Sequence, residues 1–119
     1  MDKKVRVSFR IHSSLKEDLH VQLIKDGYGI RGKSKWMVEA IERLLEIENF
    51  AELVNLSNEM HNFEHRDTII IPYQLKIRLD KAVTAIRLDY PLLEGVMSRI
   101  YRTAIIQRFL RSKYLSDFS

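Results

Sequence analysis

Cysteine is absent from this chain, which excludes a disulfide framework, a thiolate metal site and a cysteine nucleophile, and fits a reducing compartment. Long apolar runs are missing too. No window approaches the roughly 18 apolar residues of a membrane span, and "MDKKVRVSF" lacks the apolar core of a signal peptide. The expectation is a soluble, cytoplasmic protein that does not engage a membrane. With 119 residues there is room for one ordinary domain or two very small ones. Two prolines and four glycines leave few breaks, and three of the glycines fall in "GYGIRGKS".

What is present is segregated charge. The net charge is +4, but residues 1–35 hold nine Lys or Arg against four Asp or Glu, and residues 36–60 hold one against six. Residues 61–119 return to ten against six. A basic face suits a polyanion, although solvated charged surfaces also arise without one.

Val5, Val7, Phe9 and Ile11 alternate with Arg6, Ser8, Arg10 and His12, which predicts a half-buried strand with a polar outer face. "SLKE" then reads as a capping box with Ser14 as N-cap, and Leu15, Leu19 and Leu23 mark a helix to about Asp26. After the glycines, Met37, Ala40, Ile41, Leu44 and Leu45 mark a second helix from Ser34. It ends near Asn49 or runs on into "FAELVNLSNEM". Residues 67–110 repeat this plan. "TIIIPYQLKIRLDKAVTAI" supplies strand and helix, "LDYPLL" a break, and residues from Val96 a last helix ending in the basic "RFLRSKY". At an ungapped offset of 60, Phe9 falls on Ile69, Ile11 on Ile71, Leu15 on Leu75, Leu19 on Leu79 and Met37 on Met97. The pattern predicts a diverged tandem duplication: a first repeat at 1–49, a partly helical linker at 50–66, a second repeat at 67–112 and a tail at 113–119.

"VRVSFRIHSSLKEDL", "GKSKWMVEAIERLLE" and "IIIPYQLKIRLDKAV" resemble the strand and helices of the ribbon-helix-helix, or MetJ/Arc, superfamily of DNA-binding proteins. The resemblance implies a mainly α fold with a short β-ribbon. Strand, helix, helix would occur twice, with an antiparallel two-stranded ribbon over a four-helix core. It also implies that the ribbon enters the major groove, which admits a two-stranded ribbon. The implied base readers are Arg6, Ser8 and Arg10, and at matching positions Arg66, Thr68 and Ile70. Ile70 would touch only a thymine methyl or cover apolar surface. Phosphates would be clamped at the start of the second helix by Gly32, Lys33, Ser34 and Lys35, with Lys3 and Lys4 as an arm. The equivalent second turn, "PLLEG", puts Glu94 where a phosphate would sit, so binding is expected to be lopsided.

The function so implied is sequence-specific binding of double-stranded DNA, with no catalytic residue, metal or cofactor. A transcriptional regulator, repressor or activator, of a bacterium, phage or mobile element is the leading role. An accessory factor at a conjugative plasmid's origin of transfer is the alternative, and an antitoxin-type interaction module a third. The repeats would pair within one chain as a pseudo-dimer or between chains as a homodimer, and several copies could line tandem half-sites. A linker of roughly 16 residues spans up to about 50 Å, which permits either.

Other features have plainer readings. "HNFEH" fits H-x-x-E-H, but so small a chain offers no convincing third zinc ligand, and a polar linker explains it. Trp36 is expected to pack at a helix junction rather than stack on a sugar, and Tyr101 to lie in the core. His12 is expected to face solvent.

Overall fold

The computed structural model describes residues 3–57 and 65–116, with side chains through residue 113. The protein is mainly helical with one small antiparallel sheet. Strand β1 (Lys4–Ile11) leads into α1 (Ser13–Lys25), a 3-10 turn (Ile30–Gly32), α2 (Lys33–Glu46) and a short α3 (Phe50–Asn55). Strand β2 (His65–Pro72), α4 (Tyr73–Asp89) and α5 (Val96–Ser116) follow.

Both strands alternate as the sequence dictates, one face against the helices and one outward. They pair antiparallel within the chain, from Lys4 with Pro72 to Ile11 with His65. The central pair is Ser8 with Thr68, two positions 60 residues apart. Beneath the ribbon lies one continuous apolar cluster. It joins Phe9, Ile11, Ile69 and Ile71 to Leu19 and Leu23 of α1, Met37 and Ile41 of α2, Leu79 and Ile86 of α4, and Ile100 and Ile105 of α5. Each of these large side chains contributes about 1.5–3 kcal/mol by leaving water. Neither β-α-α segment closes a core alone, because α2 lies against β2 while α5 lies against β1 and α2.

The start of α1 differs from expectation. His12, still extended, is the N-cap, and the Ser14 N–H donates to its Nδ1 at 3.3 Å. The Ser14 hydroxyl lies 2.8 Å from the same nitrogen, so it supports the imidazole cap instead of forming a capping box. The half-buried His12 therefore has a structural partner rather than simply facing solvent.

The ungapped offset of 60 also needs correction beyond the first helices. It holds for the strands and for the starts of α1 and α4, yet α4 has 17 residues where α1 has 13. The cause is local. Gly27 takes φ +78, where its missing Cβ avoids strain, and the Tyr28 and Gly27 N–H groups donate to the Leu23 and Ile24 carbonyls. This closes α1 in a Schellman turn. Sixty residues on stands Arg87, which stays helical, and α4 continues until Pro91 forces Tyr90 out of helical geometry.

Beyond the first helices, the two ribbon edges are held by serines that lie 64 residues apart. The Ile70 N–H donates to Ser34 Oγ at 3.0 Å, and the Arg10 N–H donates to Ser98 Oγ at 2.9 Å. Arg10 and Ile70 are 60 apart, whereas Ser34 and Ser98 are 64 apart. At an offset of 64, Met37 falls on Tyr101 rather than Met97, and Ala40 and Ile41 fall on Ala104 and Ile105. Helix α2 stops at Glu46 because Ile47 turns extended, and α3 is a separate turn whose Val54 is buried.

Candidate nucleic-acid interface

Alternation puts Arg6, Ser8 and Arg10 of β1 and Arg66, Thr68 and Ile70 of β2 on the outward face, and all six are exposed. Antiparallel register sets them directly opposite one another as Arg6 with Ile70, Ser8 with Thr68 and Arg10 with Arg66. Since the Arg10 and Ile70 N–H groups point away from the partner strand to serines, these are the non-hydrogen-bonded pairs. In such pairs the Cα atoms approach to about 4.5 Å and the side chains stand closest. The central hydroxyls, Ser8 Oγ and Thr68 Oγ1, lie 3.0 Å apart and share a hydrogen bond.

The ribbon is held flat against the helices at both edges. Ser34 and Ser98 occupy edge donors that would otherwise be open to another strand. Arg102 Nη1 donates to the Arg10 carbonyl at 3.3 Å from below. Burial, with Arg99 beside it, pushes the Arg102 guanidinium down to about 10, which leaves it charged at neutral pH.

At the start of α2 the residues expected to clamp phosphate are differently engaged. The Gly32 N–H donates to the Gly29 carbonyl and the Lys33 N–H to the Ile30 carbonyl, so the 3-10 turn uses both amides. Lys33 Nζ lies 2.5 Å from Oδ1 of Asp67, a carboxylate on the inner face of β2 that is only 4% exposed. The lysine is a brace between helix and strand because a buried carboxylate demands a partner. Ser34 accepts from the ribbon edge and keeps a hydroxyl proton to offer. Lys35 is exposed, its ammonium 6.0 Å from the Tyr28 ring. Lys3 and Lys4 are exposed at the strand start, where the Lys3 carbonyl accepts from the Tyr73 N–H.

Trp36 and Tyr101 are fully buried, as expected of packing residues. The Trp36 indole donates to Asp26 Oδ2 at 2.8 Å, and Tyr101 stacks on Phe9 with ring centroids 4.0 Å apart. Of "HNFEH", residues 61–64 lie outside the described residues, and His65 opens β2.

Sequence reasoning missed two things. Asp67 shares strand parity with Ile69 and Ile71, which was a signal that it points inward. Composition alone counts the arginines of α5 toward the basic excess of residues 61–119, yet Arg99 and Arg102 are buried. Arg99 donates to the Glu94 and Ser57 carbonyls. Arg108 donates to the Trp36 carbonyl and lies 4.5 Å over the Trp36 ring. Much of the positive charge of the C-terminal region therefore braces the fold. The recess of about 670 Å³ between the α1–α2 turn and α5 belongs to the same bracing, since its Tyr28, Glu39 and Arg108 bond to one another.

No known protein family, curated protein or solved structure matches the chain.

Proposed function

We propose that this protein binds double-stranded DNA sequence-specifically, as a ribbon-helix-helix protein whose two repeats lie in one chain and pair with each other as a pseudo-dimer. The β1–β2 ribbon enters the major groove and acts in transcriptional regulation in the cytoplasm. The observation that carries the reading is the outward face. Three arginines, two hydroxyls and one isoleucine stand in register on a two-stranded ribbon, with the edges closed by the helices beneath. Such a ribbon fits the major groove, and each arginine can take guanine O6 and N7 together. Tandem duplication is supported by the central Ser8–Thr68 pair and by the matched Ser34 and Ser98 bonds.

Phosphate contact in this reading falls to Lys35, the Ser34 hydroxyl and the Lys3–Lys4 arm rather than to Gly32 and Lys33. Among the described residues no helix is long and apolar enough to cross a membrane.

Selection of bound duplexes from a random pool tests the function. Enrichment of a guanine-containing consensus is expected, with Arg6→Ala and Arg10→Ala weakening that sequence more than unrelated DNA. A pool that emerges unenriched would overturn the reading.

A further inference from the structure

The outward face is not the same at its two ends. A ribbon with equivalent strands on either side of Ser8–Thr68 would match Arg6 with Arg66, as it does here, and Arg10 with a second arginine. Ile70 stands in that place instead. One end therefore opposes two guanidiniums, Arg10 and Arg66, and the other opposes Arg6 to an isoleucine that is 44% exposed. Like charges directly opposite in a ribbon destabilise it unless an electron-rich partner lies against them. The N7 and O6 edge of guanine is such a partner.

The flanking helices are polarised in the opposite sense. Ser34 fastens α2 beside Ile70, which brings the exposed Lys35 to the Arg6–Ile70 end. Ser98 fastens α5 beside Arg10, and there the residue matching Lys35 is Arg99, turned inward onto the Glu94 and Ser57 carbonyls. The ribbon end with two arginines and the flank with the exposed Lys35 thus lie at opposite ends.

Resting on the DNA-reading function above, we propose that the ribbon has a direction and recognises a site that is not its own reverse complement. Arg10 and Arg66 take guanines at one end, and Arg6 and Ile70 take a guanine and a thymine methyl at the other. The ends are four residues apart along the strand, about 13 Å, or about four base-pair steps. Ser8 and Thr68, which bond to each other, tolerate variation at the centre. Replacing either guanine at the Arg10–Arg66 end lowers affinity about 5- to 150-fold. Replacing the thymine by uracil, which lacks only the methyl, lowers it about fourfold.

The test is selection from a random duplex pool with the full chain and two variants, each checked by thermal unfolding. Ile70→Arg gives both ends two arginines, and Arg10→Ile gives both ends one arginine opposite an isoleucine, so each makes the reading face symmetric by a different route. The expected result is a non-palindromic consensus for the parent chain and a palindromic one for either folded variant. A palindromic consensus for the parent would overturn the directionality while leaving DNA reading intact. So would a non-palindromic consensus that neither folded variant changes. If no sequence is enriched, the DNA-reading function itself fails and the inference falls with it.

Discussion

Comparing the two β-α-α segments position by position shows where the scaffold is constrained and where it is free. The serine at the second residue of α2 recurs in α5 and does the same job at the opposite ribbon edge. The pair beside it does not recur. In one place stand Asp67 and Lys33, a buried carboxylate and its lysine, whereas the matching positions hold Val7 and Met97, both apolar. The fold holds an ion pair in one of these places and two apolar residues in the other. A buried ion pair contributes little over a well-packed apolar pair, but losing one partner strands a charge.

That difference makes the largest prediction. Lys33→Met alone is expected to lower unfolding free energy by about 3 kcal/mol, and the double variant Lys33→Met with Asp67→Val to recover most of the loss. Chemical denaturation measures both. A single variant as stable as the parent chain would show that the bridge carries no weight.

On the proposed DNA-reading function, the ribbon face and its helical flank should also contribute differently. Arg6→Ala, Arg10→Ala and Arg66→Ala are each expected to weaken the selected sequence by about 1–3 kcal/mol and random DNA by much less. Lys35→Ala should weaken both alike and reduce the salt slope by about 1. Titrations at several salt concentrations separate the two behaviours. Equal losses on all DNA from all four variants would erase the distinction between ribbon and flank.

How much of this was legible beforehand varies by element. Strand alternation exposed all six outward residues, because a period of two leaves no freedom once one face is buried. The helices were legible from their leucines and isoleucines, and α1, α2, α4 and α5 all deliver those residues to the core. The clamp was less legible. That Gly32 and Lys33 would give their amides to a 3-10 turn depends on Gly29 and Ile30 folding back, and no side-chain period encodes that. The partner of Lys33 sits 34 residues away on a strand whose position only the assembled fold fixes. The offset of 64 was hidden for the opposite reason. A shift of four residues is nearly one helical turn, so apolar positions in α5 coincide with those of α2 at either offset.

The extra turn of α4 gives a smaller effect. Gly27→Ala should cost about 1 kcal/mol, since alanine at φ +78 is strained, whereas Arg87→Ala, at the matching helical position, should change stability by a few tenths at most. Thermal unfolding of the two variants makes the comparison. Equal effects would mean that the glycine turn is not what shortens α1.

The smallest effect is expected at the centre, where the segments are most alike. Ser8 and Thr68 differ by one methyl on the exposed face, and their hydroxyls already bond each other at 3.0 Å. Thr68→Ser keeps that bond and makes the pair identical, so unfolding free energy should fall by only a few tenths of a kcal/mol, from the loss of a β-branched residue. Thr68→Val keeps the branch and removes the bond, which in so wet a place contributes about 0.5 kcal/mol. If Thr68→Ser proved the costlier change by more than 1 kcal/mol, the methyl would be packing against one segment only. The pair would then not be the balanced midpoint of the ribbon that its register implies.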